Sequence, residues 1–301
     1  MPDATIAIVT KDRREELAQA LESAESQDGD VEVLVIDDGS SDGTSEMVRS
    51  KFPDVRVEPF ESSAGLVARR NVAARLARAP VIVSIDDDAV FTSADTVAKT
   101  LRDFDHPRIG AVAIPFVNVH TGAQEIPRAP EPTGRWVTAT FRGTAHALRR
   151  ELFLALGGYR EAIFHQGEEA DFSLRMLAAG NVVRLGRADP IHHFESPRRD
   201  FERMTVYGHR NLLLLGFTYF PFPWNLAMMG GHAVRGLTRE ARAGGLRPTL
   251  RGIRLGLRAC WELRRERCPL PHSTVWLDRR LRLARALPLD ALEGKLPARH
   301  T

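Results

Sequence analysis

The residues best equipped for chemistry in this chain are three consecutive aspartates, Asp86, Asp87 and Asp88, which end the apolar run Val81-Ile82-Val83-Ser84-Ile85. Adjacent carboxylates repel one another unless a cation sits among them. At the end of a buried strand they are held where ligands bind, and their oxygens suit a divalent metal. A second acidic pair, Asp37-Asp38, ends another apolar run, Val31 to Ile36. Farther along stand Glu168, Glu169 and Asp171, with Asp171 and Arg175 at the i, i+4 spacing of an ordinary helix pair. Two histidines, His192 and His193, follow the strand-like run Asn181 to Leu185.

The elements that must position these groups are legible in the first hundred residues. Thr5 to Val9, Val31 to Ile36, Val55 to Val57 and Val81 to Ile85 read as strands. Between them lie helical stretches: Asp12 to Ala24, with Leu17, Ala20, Leu21 and Ala24 on one face; Ser45 to Lys51; and Ala64 to Arg78. Alternation of this kind predicts an α/β fold, a mostly parallel sheet with helices on both faces. In such a sheet the ligand crevice lies beyond the carboxyl ends of the strands, so Asp37, Asp38, Asp86 and Asp88 are expected to face one site. Later, Ile109 to Val117 reads as one strand, Asn118 to Arg135 as an irregular loop with three prolines and two glycines, and Phe141 to Ala145 as a further strand. For Trp136 and Phe141 core burial is the commoner fate.

Four segments stand in an order and spacing that resemble the family 2 glycosyltransferases with a GT-A fold: Thr5 to Thr10, Val33-Leu-Val-Ile-Asp-Asp-Gly-Ser-Ser-Asp-Gly-Thr44, Gly65 to Asn71, and Ser84-Ile-Asp-Asp-Asp88. Leu156-Gly157-Gly158-Tyr159 and Gly167-Glu168-Glu169-Ala170-Asp171-Phe172-Ser173-Leu174-Arg175 look like that family's Gly-Gly-aromatic turn and its acidic helix, so the resemblance spans roughly residues 4–215. It implies a GT-A domain over 1–205, with a nucleotide-binding half (1–90) and an acceptor half (91–205), followed by a helical extension over 206–301. It also implies inverting transfer from a UDP- or dTDP-linked sugar to a hydroxyl of a glycan or lipid-linked acceptor, in cell-surface polysaccharide or glycolipid synthesis. Rhamnosyltransferase-like members are the nearest in pattern.

By that resemblance Asp88, with Asp86 and His193, would hold Mn2+ or Mg2+, His192 being the second choice of histidine. Thr10, Asp12, Asp37, Asp38, Arg70, Asp86 and Asp87 would contact the nucleotide, with the Asp38 carboxylate accepting the imide proton of a pyrimidine. Glu169 would be the general base, with Glu168 and Asp171 as competing carboxylates. Where the family's first strand commonly continues into Tyr-Asn, this chain has Lys11-Asp12-Arg13.

The formal net charge of +3 conceals a polarity. Residues 232–285 hold 14 arginines against four acids, a charge of +10, which leaves −7 for the remainder. Arg247, Arg251, Arg254, Arg258 and Arg265 recur on one helical stripe beside an apolar stripe of Leu250, Ile253, Leu257 and Trp261. That pattern fits a helix lying on anionic lipid, and also one packed on the catalytic domain with a solvated arginine face. Leu212 to Met229 is apolar, but Pro221, Pro223 and Asn225 interrupt it as a membrane span. No secretory signal pattern opens the chain, and Cys260 and Cys268 carry no metal-ligand spacing, so both read as reduced thiols of a cytoplasmic protein on the inner face of the cell membrane.

Nucleic acid is not an expected partner, because no stacking aromatics interleave the basic residues. Asp86 to Val90 also fits the Asp-x-Asp-x-Val signature of haloacid-dehalogenase-like phosphatases. That family needs a later lysine, and this chain has none between residues 100 and 294. A nucleotidyltransferase would open with a Gly-rich loop, which Lys11-Asp12-Arg13-Arg14 is not. A non-catalytic sugar-binding or scaffolding protein is the remaining alternative.

Overall fold

The computed structural model describes residues 1–195, 200–243 and 245–299. Its first half alternates as the sequence predicts: β1 (Ala4–Thr10), α1 (Arg14–Glu25), β2 (Val31–Asp37), α2 (Thr44–Lys51), β3 (Arg56–Pro59), α3 (Leu66–Leu76), β4 (Val81–Asp86) and the short β5 (Ala89–Val90). Then come α4 (Thr96–Arg102), β6 (Ile109–Ala113), β7 (Phe116–Asn118), β8 (Gln124–Ile126), β9 (Trp136–Thr138), β10 (Ala145–Arg149), α5 (Arg150–Ala155), α6 (Glu168–Ala178), β11 (Val182–Leu185) and β12 (Ile191–His193). The last third is mostly helical: α7 (Phe201–Tyr219), α8 (Trp224–Ala243), α9 (Arg247–Glu262) and α10 (His272–Ala284), with a two-residue β13 (Leu287–Pro288) after them.

Among the described residues, nine strands form the main sheet in the order β13-β9-β11-β6-β10-β4-β1-β2-β3. Strands β4, β1, β2 and β3 run parallel to one another, while β10 is antiparallel to both β4 and β6. Ile6, Ile8, Leu34, Ile36, Val83 and Ile85 are all buried, as expected for strands covered on both faces. Leu17, Ala20, Leu21 and Ala24 form the buried face of α1, as their spacing predicts. A second, four-stranded sheet, β5-β12-β7-β8, stands beside the end of β4.

Several expectations need correction. Ile109 to Val117 is two strands in two sheets, because Pro115 interrupts the ladder between β6 and β7. The stretch read as irregular contains β8, and the strand expected over Phe141 to Ala145 begins only at Ala145, since 141–144 form a turn. The boundary expected at 205/206 falls inside α7. That helix belongs to the catalytic body: Asn211 donates to the carbonyls of His165 and Gln166, and the Tyr219 hydroxyl donates to Asp171 at 2.8 Å. The chain end returns to the main core as well, with β13 paired to β9 and Leu289 and Leu292 buried. The apolar run Leu212 to Met229 divides between α7 and α8 at Pro221-Pro223, and no described helix is long and apolar enough to cross a membrane.

Candidate active site

β1 lies between β4 and β2, so the carboxyl ends of these three strands, at Asp86, Thr10 and Asp37, converge. A cavity of about 530 Å3 opens there. Sheet growth reverses across β1, and a crevice at that reversal follows from the topology.

The three aspartates point to different fates. Asp86 and Asp88 each offer one carboxylate oxygen, and His193 one ring nitrogen, all within 4.8 Å of one another. His193 reaches Asp88 because β12 pairs antiparallel with β5, setting His193 opposite Ala89, and its Nε2 lies 3.2 Å from Asp88 Oδ1. His192, one position earlier, points to the other face of the strand and is exposed. Asp87 turns inward instead, accepting from Thr10 Oγ1 at 2.8 Å and from the Arg13 guanidinium at 2.7 Å. Burial, with Asp88 and Asp86 adding to it, pushes Asp87 up to about 7 against the pull of Arg13. Arg13 also donates to Asp88 at 3.1 Å. Two carboxylates and an imidazole form a donor set that fits Mn2+, and more loosely Mg2+.

Opposite this triad stands the start of α6. Glu169 lines the cavity, and its Oε1 accepts the Gly143 backbone N–H at 2.8 Å. Glu168 is buried against Arg70 at 3.2 Å. Burial and the neighbouring Glu169 raise it, to about 8, although Arg70 opposes this. Arg70 itself is buried, donating to Asp86 at 2.8 Å and to the Gly143 carbonyl at 2.8 Å. It is therefore a strut between the metal-type triad and α6 that also lines the cavity, rather than a solvated helix residue. Behind it His146 is held neutral, lowered to about 3 by burial and by Arg70. Its Nδ1 faces the Arg142 carbonyl at 3.1 Å, and its Nε2 accepts from the Tyr159 hydroxyl at 2.9 Å.

Three residues expected at the nucleotide or in catalysis build loops and helix contacts instead. Asp12, at φ 51°, accepts the Ser41 N–H at 2.7 Å and ties the loop after β1 to the loop after β2. Asp37 accepts the Ser40 N–H at 2.8 Å and the Ser45 hydroxyl, closing its own Asp-Gly-Ser turn. Neither lines the cavity. Asp171 is fully buried between Arg175 and Tyr219, joining α6 to α7 away from the cavity.

Asp38 does line the cavity, yet both its oxygens are engaged. Oδ1 accepts from Ala64 N and Arg69 Nε, and Oδ2 from the Ser63 hydroxyl and Gly65 N, at 2.6–3.0 Å. Burial works to raise this carboxyl, and the four donors outweigh it, so it sits below its ordinary value. Asp38 thus ties the loop Ser63 to Gly65 and Arg69 of α3 to the end of β2 at the cavity edge.

Sequence reasoning missed Arg13 and Gly143. The first was visible only as a departure from the family's Tyr-Asn; the second lay hidden in a stretch read as a strand. A side chain at Gly143 would place its Cβ 2.6 Å from Arg70 Nη1 and 2.9 Å from Glu169 Oε1, so it would force both of those side chains to shift. Lys11, Arg142 and Arg203 add a cationic wall to the cavity, facing where an anionic leaving group would lie.

Comparison with known proteins bears on this geometry. A glycosyltransferase of Haemophilus influenzae described as uncharacterized is 28% identical over 197 residues, 62% of this chain and 66% of its own length. The succinoglycan biosynthesis protein ExoU of Rhizobium meliloti is 34% identical over 92 residues, 30% of this chain and 27% of its own. The matches span less than two thirds of either relative. Among solved structures, a mannosyltransferase of Pyrobaculum calidifontis in complex with GDP-Man and Mn2+ superposes at a TM-score of 0.54 with 19% identity, covering 88% of this chain and 87% of that one. S. aureus TarS 1-349 in complex with UDP-GlcNAc gives 0.62 with 16% identity, covering 94% and 89%. GalNAc-T7 with UDP, GalNAc and Mn2+ gives 0.63 with 15% identity, covering 88% and 57%. At such identities the likeness establishes the GT-A fold. The model of Glycosyl transferase family 2 matches residues 5–160, more than half of the sequence and including Asp86, Asp88 and Gly143, and the chain belongs to that family.

Proposed function

We propose that this protein is an inverting, metal-dependent glycosyltransferase that moves a sugar from a nucleoside-diphosphate sugar to a hydroxyl of a glycan or lipid-linked acceptor, in cell-surface polysaccharide or glycolipid synthesis. The observation that carries the reading is one cavity lined by Asp86, Asp88 and Glu169 beside the cationic wall of Lys11, Arg142 and Arg203, with His193 seated against Asp88.

Asp86, Asp88 and His193 would hold Mn2+ or Mg2+. When bound, the ion supplies Lewis-acid neutralisation of charge growing on the diphosphate. The chain's own residues do the rest. Glu169, with Oε1 fixed by the Gly143 N–H, takes the acceptor's hydroxyl proton as that oxygen attacks the anomeric carbon and the bond to the diphosphate breaks. Arg142 and Arg203 offer guanidinium donors to the departing phosphates. Glu168, buried and raised toward its neutral form, limits negative charge beside Glu169 and suits an auxiliary more than a base. The name of ExoU, a succinoglycan biosynthesis protein, supports a polysaccharide setting.

Attachment to the inner face of the cell membrane belongs to the same proposal. In α9 the buried face is made of Thr249, Gly252, Gly256, Ala259 and Cys260, which pack closely on α7. The apolar stripe is not the packed face: Leu250, Leu257 and Trp261 are exposed, beside the exposed Arg251, Arg254 and Arg258. An outward apolar stripe flanked by arginines is what an interfacial helix presents to anionic lipid.

Thermal-shift measurement with UDP, dTDP and GDP, each with and without Mn2+, tests the site, since a ligand that binds only the native state raises its stability. Stabilisation that requires both nucleotide and Mn2+, and that Asp88→Asn abolishes, is the expected result. Absence of stabilisation by any of the three with Mn2+ present defeats the proposal. The best nucleotide then directs a donor panel that includes dTDP-linked rhamnose and UDP-linked hexoses.

A further inference from the structure

The turn Arg142-Gly143-Thr144 is bonded to both halves of the catalytic cavity. The Gly143 N–H donates to Glu169 Oε1 at 2.8 Å, the Gly143 carbonyl accepts from Arg70 at 2.8 Å, and the Thr144 carbonyl accepts the Asp86 N–H at 3.1 Å. One short backbone segment therefore holds the carboxylate of Glu169 and the end of β4 that carries Asp86. An isolated bridge between Arg142 and Ala145 closes the turn. A side chain that does not line the cavity holds it as well.

That side chain is His146, buried on β10 with its ring stacked on Phe141 at 4.4 Å between ring centres. Its Nδ1 stands 3.1 Å from the Arg142 carbonyl oxygen, and its Nε2 stands 2.9 Å from the Tyr159 hydroxyl. A carbonyl can only accept, so the ring proton belongs on Nδ1, and the lone pair of Nε2 takes the Tyr159 O–H. Tyr159 is itself fixed on α3: its N–H donates to Asn71 Oδ1 and its carbonyl accepts from Asn71 Nδ2, each at 2.8 Å. The line of contacts runs from Asn71 through Tyr159 and His146 to the Arg142 carbonyl, which shares its peptide group with the Gly143 N–H.

We infer that His146, oriented by Tyr159, is a positioning residue of the transfer reaction: it fixes the Arg142 carbonyl and thereby aims the Gly143 N–H at Glu169. The inference rests on the transferase reading for the role of Glu169. Burying an imidazole and a phenol costs desolvation that apolar rings of like size would not. Filling space needs no such groups, since Phe153 and Phe172 already pack on the Tyr159 ring; the polar atoms add direction. With the proton on Nε2 instead, two lone pairs would face each other between Nδ1 and the Arg142 oxygen, and the peptide that carries the Gly143 N–H would be pushed away. A base held by that one N–H is sensitive to such a shift.

The test takes the purified full chain with Mn2+ and follows release of nucleoside diphosphate from UDP-glucose, UDP-N-acetylglucosamine, dTDP-rhamnose and GDP-mannose, water standing in for the acceptor hydroxyl. His146→Gln keeps an acceptor for Tyr159 and loses the bond to the Arg142 carbonyl, whereas His146→Asn sets its amide nitrogen where Nδ1 stands. The first should lower kcat about tenfold or more with donor KM unchanged, and the second should recover it to within about threefold of the parent. Tyr159→Phe, which lets Nε2 take the ring proton, should lower kcat about threefold or more. Long-range nitrogen–proton correlation spectra of the imidazoles should show one ring in the parent with its proton on Nδ1, a signal absent from both His146 variants. Stabilisation by nucleoside diphosphate with Mn2+ should match the parent's in all three variants.

Equal losses of kcat in His146→Gln and His146→Asn, matched by equal losses of thermal stability, report packing alone and overturn the inference. A proton found on Nε2 in the parent overturns it without recourse to activity. An unaltered kcat in Tyr159→Phe removes Tyr159 from the line. A parent that releases no nucleoside diphosphate from any of the four donors defeats the transferase reading instead, and the role of this turn with it, whatever the imidazole spectrum shows.

Discussion

The carboxyl end of the main sheet buries charge, whereas the helical third exposes apolar surface. At the sheet end Asp87 is 5% exposed, Arg70 6% and Glu168 3%, while on the helices Trp261 is 69% exposed, Leu283 76% and Phe222 70%. Both run against the usual partition, in which charges stay in water and contiguous apolar patches are hidden. The costs are met differently. The buried charges are paired into a lattice, Arg13 with Asp87 and Asp88, and Arg70 with Asp86 and Glu168, so most of the desolvation penalty is offset within the chain. Nothing comparable offsets the exposed leucines and tryptophans. The comparison teaches that the cavity is a prepared site with its geometry already held by the chain, while the helical face leaves large apolar side chains in water.

Breaking the prepared site should cost most. Glu169→Gln keeps the Gly143 contact through its amide oxygen and removes the base, so turnover should fall by about 10^3- to 10^4-fold with donor binding retained. A near-normal rate in a steady-state assay would remove Glu169 from the role of base. Asp88→Asn, which leaves Arg13 able to donate to the remaining oxygen, should lower kcat by about 10^2- to 10^3-fold and raise the Mn2+ concentration needed for half activity. Gly143→Ala drives a methyl against Arg70 and Glu169. A displacement of the base by about 1 Å predicts a loss near 10^2-fold, seen in kcat more than in KM.

The helical face should yield a smaller effect confined to membranes. Arg254→Glu with Arg258→Glu should weaken co-sedimentation with phosphatidylserine vesicles by about thirtyfold, each arginine near anionic lipid being worth about 1 kcal/mol, and leave thermal stability unchanged. Unaltered sedimentation would return α9 to the status of a solvated helix. Smallest of all is a pH effect from Glu168. Its carboxyl is raised in the native state, so the native protein holds a proton that the unfolded chain releases, and the stability this contributes is lost as pH rises from about 4.5 through about 8. Chemical denaturation of Glu168→Gln across that range should show a flatter slope than the parent, and an equal slope would show that Glu168 is ionised throughout.

The sheet strands and the metal-type cluster were legible in the sequence because both depend on local signals. An apolar run buried on two faces reads as a strand, and carboxylates at its end report their own repulsion. His193 was reachable only through the family resemblance, since its contact with Asp88 spans two strands of a small sheet that the sequence did not reveal. Reading failed where a residue's role depends on what saturates it. Asp38 and Asp37 stand in the same turn, and nothing in their types distinguishes a free carboxylate from one accepting four donors. Arg70 was expected at the nucleotide, and its buried pairing with Asp86 and Glu168 was not legible because a helix shows its pattern without showing what faces it. In α9 the periodicity was right but which face packs was not legible: small residues, Gly252 and Gly256, make the close approach to α7 while the larger apolar stripe faces out.

The sequence by itself determined the order of elements, the parallel core, the acidic ends of two strands and the basic last third. These follow from periodicity, propensity and charge, which act over a few residues. Tertiary structure alone decided which aspartate turns inward to Arg13, that Gly143 lies against both Arg70 and Glu169, that Asp38 ties down the loop ahead of α3, and that α9 packs on α7 through its small residues. Each of these depends on groups tens of residues apart being brought within hydrogen-bonding or van der Waals distance, where desolvation and saturation of donors, properties no single segment possesses, set what a side chain can do.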